Sequence, residues 1–156
     1  PEGGWWYTSD IINYLNKYSI PNYTIGLSDI ENVTREIDKG NIAILCLDMF
    51  YISNEVKDEW RVHKFYKTNS EGWGHFIVVK GYKVIDGETL FECNDPYSFG
   101  KKYEDNSIKG LNRYYSSSDI DQATEIWWDY AIIISRNTLK NAIGLDSNKI
   151  PHQSGK

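Results

Sequence analysis

Cysteine, methionine, proline and histidine are all scarce in this chain of 156 residues: it has two Cys, one Met, four Pro and three His. No CxxC or Cys/His spacing occurs, which argues against a structural zinc site. His63, His75 and His152 are too scattered to suggest any other metal centre, and no cofactor is implied. Cys46 and Cys93 both fall in strand-like runs, so either one disulfide or two buried reduced thiols fits them. Long apolar runs are also absent. The longest, Ile42 to Leu47, has the length of a strand, and mean hydropathy is −0.55, so no membrane insertion is expected. Clustered Lys/Arg is missing as well. With a formal charge of −5 and no basic run, no nucleic-acid partner is expected, because counterion release drives that affinity.

Aromatic residues, by contrast, are plentiful: 15% of the chain, with twelve Tyr and six Trp. Disordered segments are poor in aromatics, so most of the chain should fold, and its length suits one domain. Pro1 is not an initiator and no signal-peptide pattern follows it, so a processed product or a fragment is expected.

Ile11, Tyr14, Leu15 and Tyr18 recur at helical spacing behind the capping candidates Thr8, Ser9 and Asp10, and Pro21 ends that helix. Ser28 to Glu31 reads as a capping box. It opens a second helix with Ile30, Val33 and Ile37 on one face and Gly40 as its C-cap. Strands are expected over Asn41–Phe50, His75–Tyr82 and Thr89–Asn94, with Asp86-Gly87 as a hairpin turn between the last two. Tyr51–Ser70 and Tyr97–Tyr115 read as irregular, Ser118–Thr124 as a short helical turn, and Glu125–Ser135 as a final strand. The pattern is α+β: N-terminal helices packed on an antiparallel sheet. The domain runs over residues 1–136, and 137–156 form a C-terminal extension whose polar end should fray.

His75 stands at a loop-to-strand junction after Gly72 and Gly74. Asp95 ends the partner strand. A hairpin closing at Asp86-Gly87 brings both strand ends together, so a carboxylate can hold one imidazole nitrogen while the other exchanges protons. By residue type alone, a structural histidine and an Asp-Pro turn fit the same positions.

The run Gly74-His75-Phe76-Ile77-Val78-Val79-Lys80-Gly81-Tyr82, followed by Asn94-Asp95-Pro96-Tyr97, resembles the bacterial C39-like peptidases. Gly4-Trp5-Trp6 with Ser9 to Tyr18, and Ile37 to Gly40 before the Ile42 strand, are similar to more generic parts of that family, so the resemblance spans most of Gly4–Ser135. It implies a papain-like fold and a thiolate nucleophile at a helix N-terminus. It also implies His75 as base, Asp95 as its orienter, and an upstream Gln in the oxyanion hole. Trp73 and Tyr97 would meet a peptide or protein substrate. Trp5, Trp6, Trp127 and Trp128 line a groove or fill core. Neither cysteine occupies the nucleophile's place, and no Gln precedes His75. A nucleophile upstream of Pro1 is therefore expected, which would leave this chain inactive by itself. Cys93, on the same strand face as Asp95, is a lesser candidate. A non-catalytic peptide-binding module and a transglutaminase-like acyl transferase share the same motif. Such families are often exported or cell-surface proteins in bacteria.

Overall fold

The computed structural model describes residues 6–53, 61, 64, 70–72 and 74–136. Helix α1 (Thr8–Lys17) leads through a turn into strand β1 (Asn22–Gly26), and helix α2 (Glu31–Asp38) then precedes β2 (Ile42–Asp48). Strand β3 (Gly74–Ile85) and β4 (Glu88–Asn94) form a hairpin, β5 (Arg113–Ser116) follows a long loop, and α3 (Ser117–Trp127) leads into β6 (Tyr130–Ile134). The six strands make one sheet in the order β1-β6-β2-β3-β4-β5, with every neighbouring pair antiparallel.

Both N-terminal helices form where their apolar spacing requires. Asp10 caps α1 from inside its first turn, its Oδ2 accepting from the Tyr7 amide at 2.8 Å. At α2 the accepting side chain is Asp29, which takes the Glu31 amide at 2.9 Å, rather than Ser28. Val33 is fully buried, with Ile30 and Ile37 packed beside it. Asp86 and Gly87 both have positive φ, which suits a two-residue hairpin turn.

Three expectations need correction. Asn22–Gly26 is a strand rather than a connection between helices; it lies at the sheet edge with half-exposed residues, and so carries little apolar signal. Arg113–Ser116 is likewise a strand within the stretch expected to be irregular. The short turn at Ser118 is an eleven-residue helix that absorbs Trp127, so the last strand begins only at Tyr130. Its cap is the Ser116 side chain, which accepts from the Asp119 amide. Buried Ile120 and Ala123 on α3 give the helix its apolar face. The strands therefore depart from a simple meander, since β6 returns between β1 and β2. Tyr51–Ser70 falls mostly, and the 137–156 extension wholly, outside the described residues.

Antiparallel partners project to the same side of a sheet. On one side Ala43, Leu45 and Leu47 of β2 align with Val79, Ile77 and His75 of β3, and Val79 aligns with Cys93 of β4. Helices α2 and α3 cover this side, and their residues complete the core around Leu45, Ile77, Phe91 and Ile133. Lys80 is an extra residue in β3: Val79 pairs with Cys93 but Gly81 with Glu92. This bulge re-aims the strand, so that Tyr82 faces the helices and donates to Asp38 of α2 at 3.0 Å. Ile44, Cys46, Phe76 and Val78 project from the opposite side.

Candidate active site

His75 projects from the first turn of β3, at the end of the helix-covered side, beyond the apolar rows of Leu45 and Ile77. Asp95 follows directly after β4 and is held by its backbone: its amide donates to the Gly110 carbonyl at 2.8 Å. The hairpin thus brings the two strand ends together, and His75 Nε2 lies 2.9 Å from Asp95 Oδ1. The His75 side chain keeps 11% of its surface in solvent while Asp95 keeps none.

Asp95 meets four donors. Oδ1 faces His75 Nε2 and accepts from the Tyr97 amide at 2.8 Å. Oδ2 accepts from Arg113 Nη1 at 2.7 Å and from the Tyr115 hydroxyl at 2.8 Å. A carboxylate offers about four lone-pair sites, so this environment is built for the ionised form. Burial pushes the Asp95 carboxyl up. The hydrogen bond and charge of His75, the Arg113 guanidinium and the Tyr97 amide outweigh that effect and hold it below the ordinary value of 3.8. An ionised carboxylate has no proton to give, so Nε2 carries the hydrogen of this bond.

Arg113 and Tyr115 are the parts of this cluster that the sequence did not reveal. They project from β5 on the face of Cys93 and Phe91, their partners on β4. Arg113 is fully buried. Beyond Asp95 it donates to the Tyr115 hydroxyl at 2.9 Å, the Tyr97 carbonyl at 2.5 Å and, through Nε, the Lys109 carbonyl at 3.0 Å. The available signal was the alternation Arg113-Tyr114-Tyr115-Ser116, which a strand places two by two on opposite faces. An arginine at the inward position hides that signal. Gly110 supports the same cluster through its backbone: a Cβ there would stand 2.3 Å from the Asp95 carbonyl oxygen.

Tyr97 stands edge-on to the His75 ring, with centroids 5.9 Å apart, and Phe99 stands edge-on to Tyr97 at 5.0 Å. Both are exposed, at 38% and 66%, so an apolar ridge leads outward from the imidazole. Trp73, His63 and Trp5 lie outside the described residues. Trp6, Trp127 and Trp128 are not beside His75. With Cys46, Gly74 and Phe76 they line a cavity of about 330 Å³ on the opposite side of the sheet. Gly74 admits the Trp127 indole there, since a Cβ would come within 2.4 Å of it.

Neither cysteine is placed or poised as a nucleophile for His75. Both are free thiols, and they project from opposite sides of the sheet. Cys93 lies opposite Val79, four residues along β3 from His75, or about 13 Å at the usual rise per residue. Burial, reinforced by the Asp95 charge, pushes its thiol well above the ordinary range. Burial pushes Cys46 up to about 12, against a hydrogen bond from Trp127. The Cys93-His75-Asp95 cluster that the strand face allowed is therefore not formed. Among the described residues no group of three or more His, Cys, Asp or Glu side chains could hold a metal ion, and no helix is long and apolar enough to cross a membrane.

Residues 4–122 match the sequence profile of the Peptidase_C39 like family. No curated protein and no solved structure matches the chain. The antiparallel sheet with helices packed on it agrees with the papain-like α+β fold expected of that family.

Proposed function

Because the chain belongs to the Peptidase_C39 like family, we propose that His75 and Asp95 are the acid–base pair of a thiol peptidase acting on peptide or amide bonds. The observation that carries this reading is the 2.9 Å contact between His75 Nε2 and an Asp95 carboxylate with no solvent exposure. In this reading the contact orients the ring, and Nδ1 is the nitrogen that transfers protons.

In this mechanism a cysteine thiol gives its proton to Nδ1, and the thiolate attacks the substrate carbonyl. The resulting imidazolium then returns the proton to the departing amine. Asp95 stabilises the imidazolium without taking a proton. Water hydrolyses the thioester in the second half of the cycle, with His75 acting as base again. This reading takes the thiol from outside these 156 residues; what supports it is that Cys46 and Cys93 both sit in strands, buried and away from His75. The exposed Tyr97–Phe99 ridge supports Tyr97 as a surface for substrate side chains.

The test is His75→Ala in the natural protein that contains this chain, assayed on peptide substrates. General acid–base catalysis contributes about 10²- to 10⁴-fold, and a loss of at least that size is expected. Hydrolysis at the parent rate would overturn the assignment. Running the assay with and without an amine acceptor separates hydrolysis from acyl transfer.

A further inference from the structure

The Arg113 side chain has no ordinary reason to be in the interior. It is fully buried at the start of a four-residue strand, and arginine is almost never placed so unless it is paired. Its partner is Asp95, also without solvent contact, at 2.7 Å. The guanidinium touches the oxygen that His75 does not, so the carboxylate bridges a cation on one side and the imidazole on the other. Among the described residues, the other groups close to this carboxylate are neutral: the Tyr97 amide, the Tyr115 hydroxyl, and the thiol of Cys93 two residues before it.

We propose that Arg113 is a positioning residue for His75: by neutralising the buried Asp95 carboxylate it keeps the shared proton on Nε2 and Nδ1 unprotonated. Without the guanidinium, the pair would hold an uncompensated negative charge in the interior, and a proton from solvent would compensate it. If that proton settles on Asp95, the acid donates to Nε2 and the ring carries its hydrogen on Nδ1. If it settles on the ring, the imidazolium carries hydrogen on both nitrogens. Nδ1 is protonated in either case and cannot accept a proton from a thiol. Arg113 also fixes the loop, since the same guanidinium holds the Tyr97 carbonyl and so sets where the Tyr97 ring meets the imidazole.

This role serves the acid–base reading of His75, but it can be measured without turnover. The full chain, labelled with ¹⁵N-histidine, is examined by long-range ¹H–¹⁵N correlation about two pH units above the ordinary imidazole value of ~6.5. A His75→Gln chain identifies the His75 signals. The parent chain is expected to show a protonated Nε2 and an unprotonated Nδ1. Arg113→Gln is expected to show a protonated Nδ1, and Arg113→Lys, which restores the cation, to return to the parent pattern. An unprotonated Nδ1 in folded Arg113→Gln would overturn the proposal. If Arg113→Gln does not fold, Arg113→Lys and Tyr115→Phe decide: both keep a cation and should keep the parent pattern, and a protonated Nδ1 in either would overturn it. In the turnover-competent protein, kcat should fall more than KM changes in Arg113→Gln, with partial rescue by lysine. Loss of the His75 assignment itself would be read separately, from retained hydrolysis in His75→Ala.

Discussion

Asp95 and Arg113 form an ion pair of 2.7 Å in which neither side chain meets solvent. Such a pair is costly to assemble and more costly to break, because the surviving charge has no water to replace its partner. Asp95→Ala should therefore destabilise the chain by about 3–5 kcal/mol, read as a drop in the urea midpoint. A change under ~1 kcal/mol, the size expected of a surface substitution, would mean that the pair is not buried as described.

The same carboxylate makes stability depend on acid. Its folded-state value lies below the ordinary 3.8, so the unfolded chain binds more protons than the folded one in that range. The contribution of Asp95 is complete above the ordinary value and is lost as pH falls through the depressed one. Urea midpoints taken stepwise below pH 5 should fall for the parent chain and fall less steeply for Asp95→Asn. Parallel curves would show that Asp95 titrates alike in both states.

Gly110 carries the Asp95 segment on its backbone, accepting the Asp95 amide while leaving no room for a side chain beside the Asp95 carbonyl. The obstruction is backbone, which cannot swing aside as a long side chain can. Gly110→Ala should cost roughly 1–3 kcal/mol, as overpacking does, and should lower any His75-dependent activity by moving Asp95. Full stability together with full activity would contradict that geometry.

Cys46 and Cys93 should resist alkylation in the native chain at pH 8. With its thiol held at about 12, Cys46 offers on the order of a thousandfold less thiolate than an ordinary cysteine. Trp127 lies over both Cys46 and Gly74, so Gly74→Ala should displace the indole and speed modification of Cys46. Cys93, on the other side of the sheet, should stay unreactive. Mass spectrometry of iodoacetamide-treated chain gives both rates. Equal acceleration of the two thiols would point to general loosening rather than to release of Trp127.

Local sequence determined the parts of this protein that need only local forces. The apolar spacing of Ile30, Val33 and Ile37 specified α2, the run from Ile42 to Leu47 specified β2, and Asp86-Gly87 closed the β3–β4 hairpin. The hairpin brings the ends of β3 and β4 near each other, but the turn's register alone would leave His75 and Asp95 on opposite faces, and the extra residue at Lys80 puts them on the same one. The rest needed the tertiary structure. Strand β1 has a half-exposed pattern and exists because β6 pairs with it across more than a hundred residues of chain. Trp127 belongs to a helix because Ile120 and Ala123 pack α3 onto the sheet, which periodicity around the Trp pair could not show. Only the fold decides that Arg113 points inward, since nothing local makes a guanidinium prefer the interior. It is held there by a buried carboxylate eighteen residues away in sequence and 2.7 Å away in space.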